Sequence, residues 1–204
     1  MAQAHDTPQI YLAGPDVFFP DAMERAERMK AYLAAHNMTG RFPLDKELDP
    51  ADFPEPQDMA LAIARANEGI MREADIILAN IQPWRGPEAD DGTAYEIGFM
   101  AALGKLVVLY TSDRRSFHER VADDIYGGDI YPDGPFIRGK SDNMLIENFG
   151  GLADNLMLIN AATASARNAL GEKAPSPAAI VHFGFEAGAV FARRLWDASH
   201  QTRS

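Results

Sequence analysis

The chain has 204 residues, is 47% hydrophobic and contains no cysteine, so it can bury one core and excludes disulfides, thiolate catalysis and cysteine-based metal sites. Its formal charge of −11 and isoelectric point near 4.8 argue against a nucleic-acid polymer or an anionic membrane surface as partner, because phosphate contacts need clustered Lys and Arg. No stretch approaches the ~20 apolar residues of a membrane span, and the first residues lack the basic and apolar regions of a signal peptide, so a single-domain cytoplasmic protein is expected.

In chain order, Gln9–Ala13 is a short apolar run stopped by Gly14-Pro15 and reads as a first strand. Asp21–Ala35 places Met23, Ala26, Met29, Tyr32 and Leu33 at helical spacing. Thr39–Phe42 is a weak second strand stopped by Pro43, and the proline-rich, acidic stretch Leu44–Gln57 reads as a surface excursion. Asp58 can cap a helix running to Glu73, with Met59, Ile63, Ala66 and Ile70 inward. A third strand, Asp75–Ile81, leads through the loop Gln82–Pro87 to a helix rich in small residues, Gly92–Leu103. Leu106–Tyr110 is the continuous apolar run of a strand buried on both faces. Thr111–Lys140 reads as loop with one helical stretch, Met144–Ile146 as a short edge strand, and Leu152–Leu170 and Ala178–Ala198 as two helices. Strands alternating with helices predict an α/β fold, a doubly wound parallel sheet of about five strands with helices on both faces.

The densest chemistry is Asp90-Asp91-Gly92-Thr93-Ala94-Tyr95-Glu96-Ile97-Gly98, just past the third strand, where open α/β sheets bind ligands. Glu96 lies one turn inside the helix, on the face of Gly92, and a carboxylate held against a pocket there can act as nucleophile. Asp90 beside it can exchange a proton with a leaving group, or it can simply cap the helix dipole. Ala94, Gly98, Ala101 and Ala102 form a face able to pack closely against a partner. Gly14 permits close backbone approach to a ligand, and Tyr11 either directs its hydroxyl to the sheet's carboxyl edge or is plain core. Phosphate is disfavoured at Gly14-Pro15-Asp16, where Pro15 has no N–H and Asp16 carries the wrong charge. His182 reads as packed on an aromatic helix face, and the histidines show no ligand spacing, so no metal is expected. Glu at its ordinary pKa of about 4.3 would be ionised at pH 7 without tuning.

Taken together, Tyr11-Leu12-Ala13-Gly14-Pro15 with Phe18, Pro43-Leu44-Asp45, Ala74–Asn80, Asp90 with Gly92–Gly98, and Asp154-Asn155-Leu156-Met157 resemble the nucleoside 2-deoxyribosyltransferase family, in order over residues 9 to about 160. The resemblance implies a flavodoxin-like α/β sandwich, with residues 161–204 a C-terminal helical extension. It also implies exchange of the base of a 2′-deoxynucleoside through a covalent deoxyribosyl-enzyme intermediate, with no cofactor. By position, Glu96 matches the nucleophile at C1′, Tyr11 the hydroxyl that orients it, and Asp90 the acid that helps the base leave. Asp45, Glu47 and Asn67 fall where the family holds sugar and base, although Asn67 stands where some members have Asp and Glu47 where some have an amide. Asn155 and Met157 match residues that reach a neighbouring subunit's site, implying a homo-oligomer with shared active sites. The partners implied are 2′-deoxynucleosides and free purine or pyrimidine bases. Two rival readings stand beside this one: a nucleoside or nucleotide N-glycosidase, in which water captures the intermediate, and a non-catalytic nucleoside-binding sensor.

Overall fold

The structure is a computed structural model that describes residues 7–45, 48–134, 136–147 and 149–201. Five parallel strands form the main sheet: β1 (Gln9–Ala13), β2 (Thr39–Arg41), β3 (Ile76–Asn80), β4 (Leu106–Thr111) and β8 (Val181–Phe183), in the order β2-β1-β3-β4-β8. The central strands are apolar throughout because helices cover both sides. Ile10, Leu12, Ile76, Ile77, Leu78, Val107, Val108 and Leu109 are all buried. Helices α1 (Ala22–Ala35) and α6 (Phe185–Gln201) pack together on one face, and α2 (Pro56–Glu73), α3 (Asp91–Ala102) and α5 (Leu156–Leu170) on the other. The sequence signal for this layering is plain in α6, where Ala189, Ala192, Leu195 and Trp196 are buried at helical spacing.

Every connection between these parallel strands crosses over, and the order reverses between β1 and β3, which makes the carboxyl ends of those two strands the expected ligand crevice. Gly14 ends β1 with φ 146°, and a Cβ there would lie 2.6 Å from the Cβ of Asn80 at the end of β3. A side chain at Gly14 would therefore collide with the neighbouring strand.

Two elements differ from the sequence expectation. The fifth strand is Val181–Phe183, which helical periodicity had absorbed into the helix at 178–198; three residues are too few to show alternation against it. Leu145–Ile146 (β7) instead joins β5 (Ile130–Asp133) and β6 (Phe136–Gly139) in a separate antiparallel sheet, within the stretch expected to be mostly loop. Ile63, expected inward, is exposed on α2. Between β4 and this small sheet lies the single turn α4 (Phe117–Arg120), opened by a Ser116–Glu119 capping box and continued by a π-helical turn over Val121–Ile125.

Candidate active site

The sheet brings Tyr11 and Glu96 together from 85 residues apart. The Tyr11 hydroxyl donates to Oε1 of Glu96 at 2.5 Å, so β1 orients a carboxylate carried by α3. Tyr11 is fully buried and Glu96 partly so, and Oε2 of Glu96 accepts no hydrogen bond among the described residues. Burial raises the pKa of Glu96 from 4.5 to about 7; the Tyr11 hydrogen bond lowers it and the nearby Asp90 charge raises it. Glu96 is thus a tuned carboxylate and not the ordinary one expected from the sequence, because the fold removes water from it. Burial, together with the Glu96 charge, holds the Tyr11 hydroxyl well above the usual phenol range, so it stays a donor.

Asp90 is the N-cap of α3. Its Oδ2 accepts from the Thr93 amide at 3.0 Å and the Thr93 hydroxyl at 3.1 Å, while Oδ1 accepts no hydrogen bond among the described residues. Gly92 keeps this cap possible, since a Cβ there would lie 3.1 Å from Asp90 Oδ2. The cap is therefore present, and it leaves Asp90 close enough for its charge to act on Glu96.

The remaining expected residues divide. The carboxylate of Asp45 accepts from Lys30 Nζ and from the Phe42 amide at 2.8 Å, which commits it to closing the turn after β2. Glu47 lies outside the described residues. Asn67, on α2, has a buried Oδ1 with no hydrogen-bond partner among the described residues. Phe18 is exposed and stacks on Trp84, ring centroids 5.4 Å apart, with Arg85 over both rings. Asn155 caps α5 through Oδ1, which accepts from the Met157 amide at 2.9 Å, and Met157 is exposed. Asp16 accepts from Asn80 and Arg25 and lines a cavity of about 630 Å³ on the α1–α6 face. Its charge is therefore compensated by Arg25 on the α1–α6 face of the sheet. The small face of α3 also serves another purpose: Ala94, Gly98 and Ala101 line an open groove of about 400 Å³ beside α5, and a Cβ at Gly98 would meet nothing within 4 Å.

Sequence reasoning missed Trp84 and, above all, Arg120. Nothing in the polar stretch 111–140 singles out one arginine, and arginine is seldom fully buried. His182 was expected to be packed, and it is, against Phe191 at 4.3 Å, with burial lowering its pKa; it sits on β8 and not on a helix. Among the described residues no cluster of three or more His, Asp or Glu could hold a metal, and no helix is long and apolar enough to cross a membrane.

A family profile described as nucleoside 2-deoxyribosyltransferase matches residues 10–157, which span every residue of this arrangement. The chain belongs to the nucleoside 2-deoxyribosyltransferase family. An uncharacterized protein of Schizosaccharomyces pombe is 32% identical over 165 residues, 76% of this chain and 77% of that one. A 2-deoxyribosyltransferase from Leishmania mexicana is similar in structure, with a TM-score of 0.62 and 28% identity over 91% of this chain and 97% of that chain. A 2-deoxyribosyltransferase from Bacillus psychrosaccharolyticus shares 24% identity over 52% of this chain and 74% of its own, with a TM-score of 0.43. The flavodoxin-like fold expected from the sequence is the fold of this family.

Proposed function

We propose that the chain is a nucleoside 2-deoxyribosyltransferase that exchanges the base of 2′-deoxynucleosides through a deoxyribosyl ester on Glu96. The observation that carries this reading is the 2.5 Å hydrogen bond from Tyr11 to Glu96, which fixes one oxygen of a buried carboxylate and frees the other. In the first step Glu96 Oε2 forms a bond to C1′ as the bond from C1′ to the base nitrogen breaks, and the electron pair leaves with the base. Oδ1 of Asp90 is the group that exchanges the proton with the departing nitrogen. A second base then displaces Glu96 from C1′, so two inversions retain the configuration, as in retaining glycosidases. The transition state is oxocarbenium-like, and an ionised Glu96 stabilises charge where it develops.

The substrate side of the proposal follows from the same groups. Neither half-reaction needs a cofactor. The unpartnered Oδ1 of Asn67 suits a donor on the base, and the exposed stack of Phe18 on Trp84 suits a planar ring. Asn155 spends Oδ1 on its helix cap and keeps its amide N–H groups, and Met157 is exposed, which supports a reading in which both serve the site of a second copy and the functional unit is a homo-oligomer. Free 2′-deoxynucleosides are preferred over ribonucleosides, since an electron-withdrawing 2′-hydroxyl destabilises the oxocarbenium-like transition state. Incubation with deoxyinosine, with and without adenine, tests the reading. New deoxyadenosine supports transfer, hypoxanthine release that ignores adenine replaces it with hydrolysis, and binding without either product leaves a sensor.

A further inference from the structure

Arg120 is 1% exposed, and its guanidinium makes three hydrogen bonds that reach three loops. Nε donates to the Pro87 carbonyl at 2.7 Å, one terminal nitrogen to the Arg115 carbonyl at 2.9 Å, and the other to Asp154 Oδ2 at 3.0 Å. Asp154 is buried too, and its Oδ1 accepts from the backbone amide of Asn155 at 2.8 Å. One ion pair therefore ties Pro87, in the strap leading into Asp90, to the residue before Asn155.

Stability alone is a poor reason for such a pair. Burial pushes Asp154 up and Arg120 down, each against the pull of its partner, so the pair is costly to bury. Buried pairs of this kind are often no more stable than apolar residues of the same volume, whereas they do fix geometry. The geometry fixed here is that of the Asp90 loop. Asp90 must cap α3 through Oδ2 and still present Oδ1; the strap before it is anchored early, by Gln82 on Asn80 and by the Trp84 ring on Phe18 and Phe19, and Arg120 holds it at Pro87, three residues from Asp90.

We propose that Arg120 is a positioning residue for proton exchange at the leaving base: through Pro87 and Asp154 it holds the loop that aims Asp90, in register with the loop that carries Asn155. This rests on the base-exchange reading above. It makes a claim that a stabilising role would not make. Loss of the grip harms departure of a base that needs a proton and spares departure of a base that does not.

Two donors separate the cases. Deoxyinosine releases a base that must be protonated, whereas 7-methyl-2′-deoxyguanosine already carries a positive charge on its base and releases a neutral one when the bond to C1′ breaks. The first half-reaction, base release with formation of the deoxyribosyl-Glu96 adduct, is followed in single turnovers by chromatography and mass spectrometry. Arg120→Lys keeps a cation against Asp154 but cannot span all three acceptors. It is expected to slow adduct formation from deoxyinosine at least ~10-fold, part of the ~10²–10⁴ that a placed proton donor contributes, and to slow 7-methyl-2′-deoxyguanosine less than ~3-fold. Equal losses on both donors, or no loss on either, overturn the proposal. If Arg120→Lys does not fold, the doubly substituted Arg120→Met, Asp154→Leu protein removes both buried charges, and the same split between donors is required of it. A wild-type protein that forms no adduct from either donor overturns the base-exchange reading itself, an outcome separate from the split.

Discussion

Replacing Glu96 by Gln should destroy activity and, above neutral pH, make the protein more stable. The pKa of Glu96 is about 7 in the fold against 4.5 for an exposed glutamate. Below pH 4.5 the residue is neutral in both states and costs nothing. Between 4.5 and 7 the unfolded chain releases the proton while the folded one keeps it, so stability falls as pH rises, and the loss is complete above about 7. A gap of about 2.5 pH units at about 1.4 kcal/mol each makes roughly 3 kcal/mol, and residual contact with water brings the expected figure to about 2–3 kcal/mol. The Gln side chain accepts the same Tyr11 hydroxyl and never ionises, so it escapes this loss. Urea denaturation at pH 5 and pH 8 measures it. The stability advantage of Glu96→Gln over wild type should grow by about 2 kcal/mol between the two, or roughly 4–8 °C in Tm for a domain of this size. Parallel stability curves for the two proteins would refute the buried, destabilised carboxylate. In the same preparation Glu96→Gln should exchange no base at either pH.

Three further outcomes are expected. Wild-type kcat/KM should fall as pH drops below about 7, and Tyr11→Phe, which removes the hydrogen bond that lowers the Glu96 pKa, should move that limb to higher pH; an unmoved limb in a folded variant would separate Tyr11 from Glu96. Asp90→Asn keeps an N-cap acceptor and should stay within about 0.5 kcal/mol of wild type while exchange falls ~10²-fold or more, whereas Asp90→Ala should lose the cap as well, about 1 kcal/mol; near-normal exchange by Asp90→Asn would confine Asp90 to capping. Mixing inactive Glu96→Ala with inactive Asn155→Ala should restore activity through hybrid oligomers, and an active monomer by sedimentation would contradict the shared site.

The sequence was legible where burial is one-sided or total over several residues. The apolar runs of β1, β3 and β4 could be read because a strand covered on both faces needs no polar position. β8 could not, because its three residues end against a helix whose periodicity begins two residues later. Of the small sheet only β7 was legible; β5 and β6 were hidden for a different reason, since they carry Pro132 and Arg138 and bury little on either face, so neither alternation nor an apolar run marks them. At the site, Tyr11, Asp90 and Glu96 stood out as candidates from their place at the sheet's carboxyl edge, and family resemblance supplied the role expected of each. Their electrostatics were out of reach, because a pKa near 7 depends on how much water the folded chain removes from Glu96. Asp16 shows the same limit. Its charge was legible, but its pairing with Arg25 and Asn80 on the α1–α6 face was not.

Two of the residues to which chemistry is assigned also hold the fold, and they do so in the same way. Asp90 gives Oδ2 to the first turn of α3 and keeps Oδ1 outward; Asn155 gives Oδ1 to the first turn of α5 and keeps its amide nitrogen. A cap has to sit at a helix start, and the start of α3 lies near the carboxyl edge of the sheet where ligands gather. The helix thereby fixes the rotamer of the side chain that caps it, and the second polar atom of that side chain is held in one direction at little further entropic cost. Rigidity at these two points is therefore a by-product of helix initiation. What the caps do not fix is the path of the strap before Asp90, which is the part that the buried Arg120–Asp154 pair grips. Alanine at Asp90 or Asn155 removes cap and chemistry together, so only substitutions that keep the capping oxygen, Asp90→Asn and Asn155→Asp, report on the second atom alone.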